Sequence, residues 1–370
     1  MRIGVDAREL QGRPTGAGRY LRSLLRSWPD TGEDVLFAYF NGPDPAEAVP
    51  SDTRIEARPL GDGQERGLAW QQRTLPAATA SEGLDVFLAP AYTCPLRMQI
   101  PRVTAVHDLS YFARPDEFPL LDGLRRRLLV SASVRASAYT LACSAFTRRE
   151  IAGHFPDAAT RVVEIPLGPD DDLPQAPPRH EARARLGVSG PLLLSVGTLL
   201  HRRCIPELLR AVAKLIPRWP DLRLQVVGEN RTHPYRDFSL LADELDLRAS
   251  VDFLGYVSET ALADRYAAAD VAVALSEYEG FGMPALEALA RGVPLVASDR
   301  PALNEVVGQA ALLVEPRDPA AIAEAVSELL SDEALRGSLR ARGRARAARY
   351  SWPETARRTR EILRAAALRA

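Results

Sequence analysis

The sequence has few cysteines, few long hydrophobic runs and little net charge. No stretch of its 370 residues approaches the roughly 18–20 consecutive apolar positions that cross a bilayer. Cys94, Cys143 and Cys204 lack the spacing of a zinc site or a disulfide framework. The net charge is −1, so nucleic-acid binding is not expected. No charged-then-apolar leader precedes the first predicted strand, which favours a cytoplasmic protein.

Lysine is almost absent, because Lys214 is the only one in the chain. It lies in a helical pattern at 206–216 whose apolar positions recur every three or four residues, as on a helix with its lysine facing solvent. A mechanism that needs a lysine would have to use this residue. We therefore expect neither a pyridoxal-phosphate Schiff base nor a Walker-type phosphate loop.

Short Val-, Leu- and Phe-rich runs alternate with helical patterns along the chain, which predicts βα units and parallel sheets. The length favours two domains. A proline- and aspartate-rich stretch at 166–178 predicts the connection between them. We expect an N-terminal domain at 1–170, a linker at 171–190 and a C-terminal domain at 191–350. The tail at 351–370 should be a helix that packs back on the N-terminal domain.

The most informative stretch runs from Ser276 to Gly292, after a predicted strand. Gly280 and Gly282 allow the backbone to approach a ligand, and a helix opens at Pro284. The N–H groups at the start of that helix favour an anion such as a diphosphate.

Two glutamates, Glu279 and Glu287, bracket this predicted anion site. Carboxylates repel phosphate, so neutral hydroxyl groups are their better partners. The pattern therefore predicts sugars on both sides of a diphosphate: a transferred sugar and a ribose.

Other interpretations of this stretch remain open on spacing alone. It could be a helix cap with two surface glutamates. Gly280 to Ala285 also fits a G-x-G-x-x-A dinucleotide fingerprint, with Asp299 placed to bind a ribose. That would indicate an NAD-dependent oxidoreductase, although the fingerprint falls late in its domain. A nucleotide-sugar epimerase and a non-catalytic glycan-binding subunit are further alternatives.

Segments across nearly the whole chain resemble glycosyltransferase family 4. They include the stretch from Glu279 to Glu287 and the segments at 4–8, 15–20, 107–110, 195–198, 252–257, 292–298 and 304–308. The resemblance implies an α/β protein of the GT-B fold, with two Rossmann-like domains whose parallel sheets face each other across a cleft. It also implies transfer with retention of anomeric configuration and no essential metal.

The resemblance implies roles for residues of the C-terminal domain. Glu279 would contact hydroxyls of the donor sugar, and Glu287 the ribose. The backbone amides that would bind the sugar or diphosphate are those of Gly280, Phe281, Gly282 and Met283. Arg202 and Arg203 would neutralise the phosphates, at a pair that is commonly Arg-Lys in the family, and Cys204 stands where Asn or Gly is usual.

In the N-terminal domain the resemblance implies that Gly16 and Gly18 line the donor site. His107 would form hydrogen bonds near the reacting sugar. The implied catalytic set is therefore His107, Glu279 and Arg203, with the departing diphosphate assisting and no protein nucleophile required. Without the resemblance, a lone histidine or a lone glycine turn is as easily structural.

These features predict a hexosyltransferase of polysaccharide biosynthesis that uses a nucleoside-diphosphate sugar and acts on a glycan or lipid-linked acceptor. The segment Gly18-Arg-Tyr20 resembles members that use GDP-mannose, which we favour over UDP-glucose. No cofactor is expected, and the aspartates at 170–172 are interpreted as solvated linker charge. The helical pattern at 120–136 mixes apolar and basic residues and could rest on the inner face of an anionic membrane, or be a core helix with an arginine-rich face.

Overall fold

Buried apolar strands form two parallel sheets, one in each of two structural units. The computed structural model describes residues 1–12, 15–30, 32–42, 54–65, 67–169 and 174–369. The first unit contains Met1–Phe112, Leu121–Gly168 and Ser351–Ala370, and the second contains Ala113–Leu120 and Pro169–Tyr350. The aspartates at 170–172 lie outside the described residues.

The sheet of the first unit consists of strands at the positions where the sequence predicts them. In the described part of this unit they are β1 (Arg2–Asp6), β2 (Val35–Asn41), β3 (Ile55–Leu60), β4 (Val86–Ala89), β5 (Arg102–Val106), β6 (Tyr139–Ala142) and β7 (Val162–Glu164). Their order is β3-β2-β1-β4-β5-β6-β7, with parallel pairing between neighbours. The order reverses between β1 and β4, and ligands of such sheets bind beyond the strand ends at the reversal.

Helices connect most of these strands. They are α1 (Gly16–Arg26), α2 (Gly67–Ala69), α3 (Leu75–Thr79), α4 (Ser110–Ala113), α5 (Leu120–Ala136) and α6 (Ala145–His154). The side-chain oxygen of Thr15 accepts a hydrogen bond from the N–H of Gly18 at 2.9 Å and caps α1. A π-helical turn, Trp70–Thr74, joins α2 to α3. Such turns are rare and occur often at functional sites.

The sheet of the second unit has the same plan. Its described strands are β8 (Leu192–Val196), β9 (Arg223–Val227), β10 (Val251–Phe253), β11 (Val271–Ala274), β12 (Leu295–Ser298) and β13 (Leu312–Val314). Their order is β10-β9-β8-β11-β12-β13, all parallel, and it reverses between β8 and β11. The predicted class, two parallel-sheet α/β domains, is therefore confirmed.

Helices flank this second sheet. They are α7 (Arg179–Leu186), α8 (Ile205–Leu215), α9 (Phe238–Glu244), α10 (Glu259–Ala268), α11 (Met283–Ala290), α12 (Pro301–Val307), α13 (Pro319–Ser331) and α14 (Glu333–Ala347). The strands pack with α8, α9, α13 and α14 in one core in which leucine and valine predominate. No helix in the described ranges combines the length and apolarity needed to cross a membrane.

The stretch expected to be the linker contains α7, which is part of the second unit. Ala182 is buried in a cluster with Val188 and Ala268. Arg183 donates hydrogen bonds to the carbonyl oxygen of Ala268 at 3.2 Å and to Asp270 at 3.1 Å. The burial of Ala182 and the hydrogen bonds of Arg183 hold this helix against the second unit. Its sequence is mostly polar, so the hydrophobic pattern did not indicate that it belongs to a domain.

The tail forms α15 (Trp352–Ala367), which lies with the first unit. Ser351 caps it, and Trp352 is buried at its start. The Thr355 hydroxyl donates to the carbonyl oxygen of Pro166 at 2.6 Å. Near its middle, the Arg360 guanidinium donates to the buried carboxylate of Asp34 at 2.5 Å. The last segment of the chain therefore stabilises the first unit.

Substitution of Asp34 by asparagine should destabilise the first unit. Burial raises the pKa of this carboxylate. The hydrogen bonds from Arg360 and from the N-terminal ammonium lower it by more, so the net shift of the pKa is downward. Removing the charge leaves Arg360 with only its weaker ion pair to the exposed carboxylate of Glu33, at 3.2 Å, so we expect a loss of about 2 kcal/mol in the free energy of unfolding at pH 7.

The pH dependence and a matched variant check the cause. A carboxylate with a lowered folded-state pKa stabilises fully above its unfolded pKa, near 3.8, and the stabilisation is lost as pH falls through the folded value. The melting temperatures of the parent and Asp34→Asn should therefore converge as pH falls below 3.8 and through the lowered folded-state pKa. Asp30→Asn, which removes an exposed partner of Arg54, should change stability by less than about 0.5 kcal/mol. An equal loss in both variants would contradict the assignment.

Candidate active site at the strand ends of each unit

In the second unit, the predicted site residues lie on the two loops that leave the sheet at its reversal and on α11, which follows the second loop. The loop after β8 contains the 3-10 turn His201–Arg203, and the loop after β11 leads into α11. Because β8 and β11 are adjacent parallel strands, both loops emerge at one edge of the sheet. The fold thus brings the arginine pair and the glutamate–glycine segment together.

The second loop ends at the start of α11 in a backbone conformation that needs glycine. Gly282 has φ +100°, a left-handed value, and a Cβ there would lie 2.5 Å from Cδ2 of Leu303. Phe281 packs its buried ring against Tyr350, with ring centroids 5.7 Å apart. Phe281 can therefore offer a ligand only its backbone. In the first turn of α11, Pro284 has no N–H and the Ala285 N–H donates to the carbonyl oxygen of Gly282 at 3.0 Å, so this turn offers the Met283 N–H and the positive end of the helix dipole.

The structure pairs Arg203 with Glu279. Their charged groups are 2.7 Å apart, with side chains 17% and 15% exposed. A Cβ on Gly197, which has φ +131°, would lie 3.3 Å from Nη2 of Arg203 and 3.6 Å from Cγ of Pro284. The guanidinium therefore sits beside the first turn of α11. One cation, one carboxylate and one helix N-terminus share this position.

Arg202 is placed differently from its neighbour. Its guanidinium is buried and donates to Oε2 of Glu117 at 2.6 Å. Glu117 also lies 3.5 Å from the guanidinium of Arg114, and its side chain is 2% exposed. The structure therefore engages Arg202 in a buried ion pair, which the sequence could not indicate because Glu117 is 85 residues away.

Glu277, on the loop after β11, binds two arginines. Its carboxylate accepts hydrogen bonds from Arg317 at 2.7 Å and from Arg114 at 2.9 Å. Burial raises the pKa of Glu277, but the two arginines outweigh burial and lower it overall. Sequence reasoning passed over this glutamate, since nothing in its spacing distinguishes it from a surface residue.

Glu287 is buried in the body of α11. The hydroxyl of Tyr266, on α10, donates to its Oε2 at 3.0 Å. The carboxylate is thus oriented by a second helix, and Tyr266 is a site residue that the sequence analysis missed. Tyr266 lies among apolar helix positions, where an aromatic residue looks like core packing.

Cys204 stands where the family pattern has Asn or Gly, and its backbone conformation explains why those residues are usual there. It has φ +51°, a left-handed conformation, at the start of α8. Asn and Gly adopt this conformation at lower cost than cysteine does, which is the physical reason for the usual residues there. The cysteine is buried, and burial raises the pKa of its thiol to about 12, so it is not a thiolate nucleophile.

In the first unit, the loop after β1 leads into α1, whose first turn contains the two predicted glycines. A Cβ on Gly18 would lie 2.3 Å from the carbonyl oxygen of Glu9, so the close approach requires glycine. Among the described residues, apart from its chain neighbours and the backbone of its own helix, no atom lies within 4 Å of a Cβ built on Gly16, the first residue of α1. Gly18 therefore packs the loop, whereas Gly16 leaves the helix end open.

His107 follows β5 at the same edge of the first sheet. Its Nε2 lies 2.8 Å from the carbonyl oxygen of Pro90, and its ring packs against Tyr20 and Tyr92 at centroid distances of 4.8 and 5.6 Å. A carbonyl only accepts, so Nε2 carries the proton and Nδ1 has a lone pair. Burial lowers the pKa, against the opposing effects of Pro90 and Asp108. The lowered pKa favours the neutral imidazole, in which Nδ1 can accept a hydrogen bond.

A third polar cluster closes the end of β1. Arg8 binds the buried carboxylate of Asp6 through Nε at 2.8 Å and Nη2 at 2.6 Å. Gln71, on the π-helical turn, donates to Asp6 at 3.1 Å and to the carbonyl oxygen of Thr93 at 3.0 Å. The segment Gly4 to Arg8 carried part of the resemblance, but Gln71 gave no signal in the sequence.

The described residues contain no group of three or more His, Cys, Asp or Glu side chains placed to hold a metal ion.

Two family profiles and a full-length relative match this chain. The profile of the family described as "Glycosyltransferase Family 4" matches residues 14–173, and that of "Glycosyl transferases group 1" matches residues 179–346. The O-antigen chain mannosyltransferase B of Escherichia coli is 29% identical over 356 residues, which cover 91% of this chain and 93% of that protein.

Solved structures agree on the fold. Sucrose-phosphate synthase from Thermosynechococcus elongatus superposes with a TM-score of 0.80 at 22% identity, covering 100% of both chains. Anabaena Alr3699/HepE, solved in complex with UDP-glucose, superposes with a TM-score of 0.76 at 20% identity, covering 98% of this chain and 99% of that one. With the two family profiles covering both units, the chain belongs to glycosyltransferase family 4 and has the GT-B fold.

Proposed function

We propose that this glycosyltransferase moves a hexosyl group, with retention, from a nucleoside-diphosphate sugar to a glycan or lipid-linked acceptor. The observation that carries the proposal is the Arg203–Glu279 pair at the first turn of α11. A diphosphate needs a cation and a helix N-terminus, and a sugar needs a carboxylate for its hydroxyls. This position supplies all three.

The ion pair also indicates how the site responds to the donor. Arg203 can turn from Glu279 to the diphosphate, where its guanidinium binds phosphate oxygens bidentately. Glu279 is then released to accept hydrogen bonds from hydroxyls of the transferred sugar. Donor binding thus replaces one internal ion pair with two contacts to the ligand.

In the transfer step, the acceptor hydroxyl oxygen bonds to the anomeric carbon as the bond from that carbon to the diphosphate oxygen breaks. The acceptor proton passes to the departing phosphate oxygen, so no protein nucleophile takes part. Arg203, the Met283 N–H and the positive end of the α11 dipole stabilise the negative charge that grows on the leaving group. In the first unit, the Nδ1 lone pair of His107 accepts a hydrogen bond from a sugar hydroxyl.

Glu287 is proposed to bind the ribose of the donor. Its Oε2 is held by Tyr266, which fixes the carboxylate without neutralising it. A pre-oriented acceptor of this kind discriminates in favour of a ligand with paired hydroxyls.

The donor is proposed to be GDP-mannose, with UDP-glucose second. The O-antigen mannosyltransferase of E. coli supports mannose, because it matches along nearly the full length of both chains. The Anabaena protein, whose structure holds UDP-glucose, supports the competitor through its fold alone.

The two adjacent arginines should respond differently to the same substitution. Arg203→Met removes a cation that faces the donor, so we expect donor affinity to fall about 10- to 100-fold with little change in melting temperature. Arg202→Met leaves Glu117 buried without its nearest cation, so we expect a loss of about 3 kcal/mol in stability. Isothermal titration with the donor nucleotide and thermal melting of both variants measure the two effects. An equal loss of donor affinity in both variants would show that Arg202 also contacts the donor.

The two glutamates should separate binding from turnover. Glu287→Gln weakens the charged hydrogen bonds to the ribose, so the donor Kd should rise about tenfold. Glu279→Gln loses contacts to the transferred sugar, so kcat should fall about 10- to 100-fold with a smaller change in Kd. Glu324→Gln, on the exposed face of α13, is the control and should leave both unchanged. Parental kinetics in both site variants would refute the assignment.

The donor nucleotide can be identified by thermal shift with GDP, UDP, ADP and NAD, each in the presence of EDTA. A ligand at a hundredfold excess over its Kd stabilises the folded state by about 2.7 kcal/mol. We expect GDP to raise the melting temperature most, and the metal-free condition tests the proposed metal independence. A shift with UDP alone would show that the donor is a UDP-sugar and would leave the proposed glycosyl transfer unchanged. A shift with NAD alone would overturn the proposal, and an inverted anomer in the product would exclude retention.

A further inference from the structure

The surface of α5 presents an unusual group of exposed leucines. Three of them, Leu121, Leu124 and Leu128, are 80%, 47% and 63% exposed, and Leu120 at the first position is 78% exposed. Successive helix residues turn by about 100°, so these four side chains fall within an arc of about 100°. They form one stripe about 12 Å long, which we call the leucine stripe.

The leucine stripe is not the face that packs on the core. The buried residues of α5 are Gly123, Val130, Ser133 and Val134. Val130 and Val134 pack with Val106, Leu109 and Ile151 of the first unit. On a helical projection the buried face is centred about 130° from the stripe. The helix is therefore apolar on two sides, and among the described residues only one of these sides packs on a core.

Arginines border the stripe on both sides. By the same projection, Arg127 lies about 20° beyond Leu120, and Arg125 about 40° beyond Leu121. The single acid of the helix, Asp122, is already held by Arg125 at 2.5 Å and by Arg126 at 2.6 Å. The stripe thus has excess positive charge along its borders.

We propose that the leucine stripe with Arg125 and Arg127 docks the enzyme on an anionic lipid surface. Leucines would enter the interface between headgroups and acyl chains, and the arginines would meet lipid phosphates, which is how basic amphipathic helices bind membranes. A second copy of the chain fits less well, because two such faces would bring like charges together. The proposal does not depend on which sugar the enzyme transfers.

Vesicle sedimentation of the full chain tests the proposal without any activity readout. The enzyme should sediment with vesicles of phosphatidylethanolamine and phosphatidylglycerol. The double variant Leu124→Ser/Leu128→Ser should lower the partition coefficient at least about tenfold. Leu240→Ser is the matched control, since Leu240 is 60% exposed on α9 of the second unit, and it should bind as the parent does. All of these changes lie on the surface, so melting temperatures should agree and show that each variant is folded.

A second arm tests the charges. Arg125→Gln/Arg127→Gln should weaken binding to the anionic vesicles, by about fivefold for each charge, and leave binding to phosphatidylcholine vesicles unchanged. Failure of the parent to sediment with anionic vesicles would overturn the proposal. So would equal binding by the Leu124→Ser/Leu128→Ser and Leu240→Ser variants. A concentration-dependent dimer in sedimentation velocity that the leucine variant abolishes, without vesicle binding, would assign the face to a second copy instead.

Discussion

Parallel pairing of buried strands is the constraint on which the rest of this protein depends. A parallel strand must be covered on both faces, so most strands here are separated by helices, and every strand in a sheet ends at the same edge. That rule places Asp6, Pro90 and His107 at one edge of the first sheet. It likewise places Arg203 and Glu279 at one edge of the second. Residues that are distant in the chain thereby meet at the ends of neighbouring strands.

Charge is the second organising feature, and arginine carries almost all of the positive part. Many arginines are engaged by carboxylates within their own unit, as Arg202 is by Glu117 and Arg317 is by Glu277. Only side chains beside a helix N-terminus and still reachable by solvent are suited to a charged ligand. Arg203 meets both conditions, whereas Arg202, one residue earlier, is buried. Adjacent residues of one type thus have different chemistry because their side chains leave a 3-10 turn in different directions.

Local features of the sequence were sufficient to predict the strands and the start of α11. Apolar runs such as Val86–Ala89 and Arg102–Val106 appear as strands because burial on both faces demands continuous hydrophobic residues. Pro284 and Gly282 mark the start of a helix because proline lacks an N–H and glycine tolerates a left-handed conformation. The expected linker at 171–190 contains a helix. This helix, Arg179–Leu186, is fixed by Ala182 and arginine contacts that have no periodic signature.

The sequence by itself determined the fold class, the family and the segment that holds the paired glutamates, since each depends on local spacing of residue types. The tertiary structure alone decided the partners of those residues. Glu279 meets Arg203, Glu287 meets Tyr266, and Glu117 occupies Arg202 across 85 residues. It also decided that the leucines of α5 face solvent, which the pattern of the helix left open. Ion pairs, buried hydrogen bonds and side-chain exposure depend on which elements pack together. The spacing of residues along the sequence does not show which elements do so.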